Sequence, residues 1–205
     1  MKLSLKDIGK RYNYEWVFQN VNLQFESGRR YAILGPNGSG KSTLLQIIAG
    51  SLSPSQGKLS FTLGNNLLAP ESVFQYTSMA TPYLELIEEL SLEELLSFHR
   101  QFKPLIQGIS LKAMAEQVHL GPAFKKPLRY YSSGMKQRAR LAQAFFSDVP
   151  VLLLDEPCAN LDDEGFHMYQ ELLTTYARDR LVIICSNNPR EYEGCQDFIK
   201  ITDYK

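Results

Sequence analysis

The 205-residue sequence predicts an α/β chain: a mixed sheet with an antiparallel N-terminal β part and a helical insertion. Three observations predict it. Val151-Leu152-Leu153-Leu154 and Leu181-Val182-Ile183-Ile184 are continuous apolar runs of strand length, fit for a parallel sheet covered on both faces. Near the N-terminus Leu3, Leu5, Ile8, Val17, Phe18, Val21, Leu23 and Phe25 are interleaved with polar residues in strand fashion. From Tyr83 to Phe102 the chain turns rich in Leu and Glu at helical spacing.

The elements follow in order. The alternating N-terminal strands end at Glu26-Ser27-Gly28, and Tyr31-Ala32-Ile33-Leu34 is a short buried strand. A glycine-rich loop leads into Leu44–Ala49, a buried helix stopped by Gly50. Ser53-Pro54-Ser55-Gln56-Gly57 makes a turn, and Lys58–Leu63 and Ser72–Tyr76 read as further strands. Beyond Phe102, Leu111–Val118 is helical, while Pro104, Gly108, Gly121, Pro122 and Pro127 break the region into short pieces. Ala139–Ser147 and Glu164–Ala177 read as amphipathic helices on either side of the Val151 strand.

Composition narrows the function classes. With 22 basic and 22 acidic residues the formal charge is zero, so nucleic acid gains no bulk electrostatic attraction and is not an expected partner. Cys158, Cys185 and Cys195 form neither a disulfide framework nor a metal knuckle, which suits a reducing cytosol. The first residues lack the apolar core of a signal peptide, and no apolar run approaches membrane-spanning length. A membrane role is therefore expected to come through a partner.

Gly35-Pro36-Asn37-Gly38-Ser39-Gly40-Lys41-Ser42-Thr43 fits G-x-x-x-x-G-K-[ST], the loop that wraps nucleotide phosphates, and it lies between a strand and a helix as the motif requires. Its glycines turn backbone N–H groups inward, and the helix dipole adds partial positive charge. Lys41 would reach the terminal phosphates and the Ser42 hydroxyl would sit on Mg²⁺. The chain is thus read as a P-loop NTPase. The Val151 strand ends in Asp155-Glu156, at the carboxyl edge where open α/β sheets bind ligands. Asp155 would hold the metal and Glu156 would polarise the attacking water. Tyr131-Ser132-Ser133-Gly134-Met135-Lys136-Gln137-Arg138 opens a helix; it reads either as a second phosphate site or as a plain serine N-cap.

Taken together these segments resemble the ATP-binding-cassette (ABC) ATPases over essentially the whole length. YSSGM at 131–135 is similar to the family's LSGGQ signature, and Cys158-Ala159-Asn160-Leu161-Asp162 to its D-loop. The resemblance implies one cassette over 1–205, with a catalytic lobe from 1–82 and 148–205 and a helical and signature portion at 83–147. It implies ATP and Mg²⁺ as ligands. Tyr12 takes the adenine-stacking position, ahead of Tyr14 and Trp16; Ser132, Ser133, Gly134 and Asp162 join the site from a second subunit packed head-to-tail. It further implies membrane-spanning partner subunits, docked on Tyr83–Leu90, and a cytoplasmic position on the inner membrane face. An amphipathic helix burying its own leucines is the plainer account of that stretch.

Two positions depart from the family pattern. Asn187 falls where a γ-phosphate-contacting histidine is usual; its amide still donates a hydrogen bond but carries no charge. The Q-loop glutamine, which senses Mg²⁺, is best matched by Gln75, somewhat early in sequence. His99, His119 and His167 read as surface residues. The leading function is the energy-supplying subunit of an ABC transporter, with slowed hydrolysis as a consequence of the departures. A non-transport ABC ATPase and a low-turnover nucleotide-dependent interaction module are the alternatives.

Overall fold

The computed structural model describes residues 1–205. Strands β1 (Lys2–Tyr12) and β2 (Glu15–Glu26) form a long hairpin whose two-residue turn places Asn13 at φ 54, a left-handed conformation asparagine tolerates. After β3 (Arg30–Leu34) come α1 (Lys41–Ile48), β4 (Gln56–Leu63) and the short β5 (Asn66–Leu67). A 3₁₀ turn, Pro70–Tyr76, feeds β6 (Thr77–Ala80). The helices α2 (Leu92–His99), α3 (Leu111–Gln117) and α4 (Ser133–Phe146) follow, then β7 (Val151–Asp155), α5 (Asp163–Tyr176), β8 (Leu181–Cys185) and β9 (Asp197–Lys200).

The strands make two sheets. An antiparallel sheet has the order β2-β1-β4-β5, and a wholly parallel one the order β6-β7-β8-β3-β9. Period-two alternation assigns the central strands to two cores. Leu152, Leu154, Val182 and Ile184 face α2–α5, whereas Val151, Leu153, Leu181, Ile183 and Cys185 face α1 and the antiparallel sheet. All ten residues of β7 and β8 are buried, which is why both read as unbroken apolar runs.

Three expectations are corrected. Ser72–Tyr76 is not a strand: Pro70, with its preset φ, starts a helical turn, and the strand begins only at Thr77. The helical spacing of Tyr83–Phe102 is realised only from Leu92, where Ser91 and Glu94 form a reciprocal capping box. Residues 83–90 instead run irregularly, held by Arg140 Nε donating to Leu84 O (2.7 Å), by the amides of Arg129 and Leu128 donating to Glu88 O and Leu90 O (each 2.9 Å), and by a Lys136–Glu88 ion pair. Only Leu86 there is buried, so the picture of an amphipathic helix hiding its leucines also fails. Finally, His99 is half-buried rather than fully on the surface. It packs between α2 and the end of α4, its Nε2 2.8 Å from Ser147 Oγ.

Burial, with Lys103 nearby, pushes the His99 pKa from its ordinary 6.5 down to about 4. The unfolded chain therefore takes up a proton that the folded chain refuses between those values. Stability from neutral His99 is fully present above pH 6.5 and is lost as pH falls toward 4. Urea midpoints should decline across that window, and His99→Gln should make the decline shallower than in the parent. Separately, Leu153→Ala should lower the unfolding free energy by about 2–5 kcal/mol and Ser91→Ala by about 1 kcal/mol in the same assay.

Candidate nucleotide site

The phosphate loop leaves β3 and closes over the start of α1. Gly40, at φ 104, is the N-cap of α1 and offers no side-chain cap, so the first helical amides remain free for an anion. A Cβ at Gly40 would meet Val17 Cγ1 at 2.6 Å, so the hairpin presses directly on the loop. Lys41 is 5% exposed, and its Nζ donates to Gly35 O (2.7 Å) and Pro36 O (3.2 Å). A pocket of about 290 Å³ opens here, walled by residues 37–43, Val17, Tyr83 and Glu156.

Under the loop, Asp155 ends β7. It is 2% exposed and its Oδ1 has no hydrogen-bond partner. Burial raises its pKa and the neighbouring Glu156 charge adds to the rise; the hydroxyls of Ser42 and Thr81 and the Lys41 ammonium oppose it. Glu156 sits at φ 44 with its amide donating to Cys185 O (2.8 Å), a kink that ends the strand and puts this residue on the pocket wall. Asn187, in the turn after β8, donates from Nδ2 to Asn37 Oδ1 of the phosphate loop at 2.9 Å. The residue at the histidine position therefore does touch the loop.

A second pocket, about 420 Å³, lies elsewhere on the chain. Ser132–Met135, Arg138 and Asn160–Asp162 line it. Ser132 caps α4 by accepting the Met135 N–H at 3.2 Å, so the serine-cap reading holds while the same loop walls a pocket. Asp162 caps α5 through the Gly165 N–H (2.9 Å) and pairs with Arg138 (2.9 Å). The Gly165 amide first, then Arg138, holds its carboxyl below the usual range. Pocket wall and helix cap are here one structure.

Comparison with known proteins decides the family. The "ABC transporter" family profile matches residues 18–159. The chain belongs to the ABC transporter family. Among its relatives is the cytochrome c biogenesis ATP-binding export protein CcmA of Rhizobium meliloti, 29% identical over 204 residues that cover 96% of each chain. The lantibiotic transport ATP-binding protein SrtF of Streptococcus pyogenes is 30% identical, covering 96% of this chain and 85% of that one. A putative ABC transporter ATP-binding protein from Pyrococcus furiosus superposes with a TM-score of 0.83 at 22% identity, each chain fully covered. Another solved structure, titled as the ATP-binding subunit of an ABC transporter, gives 0.83 at 24% identity over 98% of this chain and 85% of that one. As a member of the ABC family, the chain is an ATP-binding subunit of the ABC transporter type.

Within that ABC frame, the structure displaces the glutamine expected at Gln75. Gln75 is exposed, in the 3₁₀ turn at the amino end of β6; four strand residues, roughly 13 Å, separate it from the site's edge. Thr81 stands there instead. It is 8% exposed, directly follows Ala80, which pairs with Leu154, and so falls beside Asp155. The sequence signal was available: Thr81 precedes Pro82 at the point where strand character ends, but its hydroxyl did not resemble the glutamine being sought. Tyr12 is half exposed at the hairpin end, with Lys10 Nζ 5.2 Å from its ring, and it does not line the phosphate pocket. Val17 and Tyr83 do, and neither was singled out for it.

Gly40→Ala should weaken nucleotide binding by about 10-fold or more, because the new methyl collides with Val17 at a left-handed φ that alanine resists. Titration with a fluorescent ATP analogue reads this directly, and an affinity within twofold of the parent would remove the loop geometry from the argument.

Proposed function

We propose that the chain hydrolyses Mg²⁺-ATP at a composite site formed by two copies, or by one copy and a paralogue, packed head-to-tail. The observation that carries this is the separation of two incomplete pockets on one chain. The P-loop pocket has the phosphate cradle and both acids, while the signature pocket has a capped helix start and no Lys or acid of the Walker type. Apposing two chains would give each nucleotide both walls. ATP then favours the closed pair because it touches both faces only there, and its hydrolysis removes that preference.

The residues fit a magnesium nucleotide. Asp155 Oδ1 is a buried, unpartnered carboxylate oxygen beside the Ser42 hydroxyl, the hard-oxygen environment Mg²⁺ takes. Bound there, the cation would neutralise charge on the phosphates. Lys41 would exchange its two carbonyl contacts for terminal phosphate oxygens. Glu156 accepts a proton from the attacking water. Asn187, tied to Asn37, supplies a neutral donor at the γ-phosphate edge, and Thr81 supplies a short hydroxyl next to Asp155. Neither carries charge or reaches as far as histidine or glutamine, which supports slow turnover. Tyr12 at the hairpin end is the proposed stacking partner for adenine, with Val17 on the pocket wall.

The exposed Tyr83, Leu84 and Ile87, on the irregular stretch strapped to α4, are the proposed seat of the membrane subunit. No helix of the chain is long and apolar enough to cross a membrane, so attachment to the inner face would come through that seat. The relatives' names, a cytochrome c biogenesis export protein and a lantibiotic transport protein, support an export system.

Two substitutions test the reading. Glu156→Gln should cut steady-state ATP turnover by about 100-fold or more while ATP binding persists, and ATP should then drive the chain from monomer to dimer in sizing experiments. Asn187→His, which restores the usual donor, should raise kcat by about 10-fold. Turnover unaffected by the glutamine variant would remove Glu156 as the base, and an unchanged kcat in the histidine variant would dissociate Asn187 from the slow step.

A further inference from the structure

Glu191 is a buried carboxylate that the chemistry above leaves unused. It lies in the 3₁₀ turn Pro189–Tyr192, 4% exposed, and its Oε2 has no hydrogen-bond partner. Its Oε1 accepts the N–H of Cys158 at 3.0 Å, in the turn that follows Glu156. Burial raises its pKa, against the Ser186 hydroxyl and that Cys158 amide, with the charges of Glu156 and Asp155 adding to the rise. Burying a carboxylate with one oxygen unsatisfied is expensive, so a merely structural bridge at this place would be better made by a neutral residue.

The turn that carries Glu191 is clamped. The Tyr169 hydroxyl donates to Glu191 O at 2.8 Å, and Arg190 donates to Asp163 Oδ1 at 3.1 Å while stacking 4.1 Å from the Phe166 ring. Two residues before the turn, Asn187 holds Asn37 of the phosphate loop. On the other side of Cys158, Pro157 O accepts from the buried Gln137 Nε2 of α4 at 2.8 Å. Asn160 O lies 2.8 Å from where a Cβ on Gly134 would be, so the turn and the start of α4 are in close contact. Three hydrogen bonds (Asn187 to Asn37, Cys158 to Glu191, Gln137 to Pro157), joined by the short backbone stretches 187–191 and 157–158, lead from the phosphate pocket to the helix that carries the signature loop.

We propose that Glu191 is a positioning residue: it ties the Asn187 turn to the turn at Cys158, so that nucleotide on the phosphate loop sets the shape of the signature pocket. The inference rests on the phosphate-loop reading above. Nothing in the sequence marks it, because the pairs 37 with 187, 137 with 157 and 158 with 191 meet only in the folded chain.

Hydrogen exchange on the full chain tests it, in a Glu156→Gln background that retains ATP, with and without Mg²⁺-ATP, at a concentration where the chain is monomeric. In that parent, ATP should slow exchange at 35–43 and also at 158–162. Glu191→Ala should speed exchange at 158–162 by about 10-fold and abolish its response to ATP, with protection of 35–43 intact. Glu191→Gln keeps an acceptor for the Cys158 amide and should restore the response. Asn187→Ala, an exposed change that spares the Cys158 bond, should leave 158–162 protected without ATP yet unresponsive to it. A response persisting in the alanine variants, one missing from the glutamine variant, or one absent in the parent while 35–43 is protected, overturns the role of Glu191 alone. ATP that protects 35–43 in no variant overturns the nucleotide reading itself.

Discussion

The parallel pairing of β3, β8 and β7 is the constraint on which the rest of the molecule depends. In that register Cys185 lies opposite both Ile33 and Asp155, so three strands end on one line. From that line the chain sends out the phosphate loop, the Asp155-Glu156 pair and the Asn187 turn, three segments far apart in sequence. Register cannot slip, because a one-residue shift would exchange the two buried faces of every strand. The apolar residues of β7 and β8, which touch no ligand, thereby determine where the acids stand.

The turn after β7 belongs to two sites at once. Its first residue, Glu156, walls the phosphate pocket, and Asn160 to Asp162 wall the signature pocket. Short hydrogen bonds leave little slack between them: Gln137 holds Pro157, Glu191 holds Cys158, and Arg138 holds Asp162. The segment is thus tied to α4, to the start of α5 and to the Asn187 turn.

Substitution at the two family positions changes chemistry without disturbing geometry. Asn187 touches the phosphate loop, and the Thr81 hydroxyl faces Asp155. What is lost is charge and reach, since a carboxamide and a hydroxyl replace an imidazole and a longer amide. Around the pocket, Glu156 and Lys41 carry charge, while Asn187 and Thr81 offer only neutral donors.

Much of this was legible from residue types alone. The glycine loop, the acidic end of an apolar strand and the serine cap at Ser132 are local backbone requirements, and few residues meet them. Their positions could therefore be read without a fold. Other assignments depended on partners distant in sequence. The Leu/Glu spacing of 83–90 promised a helix until α4 supplied Arg140 and Lys136 to hold it otherwise. Gln75 matched by residue type, but sheet pairing put Thr81 beside Asp155 instead. Glu191 looked like any surface glutamate until the fold buried it against Cys158. Residue types alone placed the glycine loop, Lys41 and the Asp155-Glu156 pair, because each such segment folds from its local backbone requirements. Only the tertiary structure decided which groups stand next to one another, because that depends on strand register and on contacts no local pattern records.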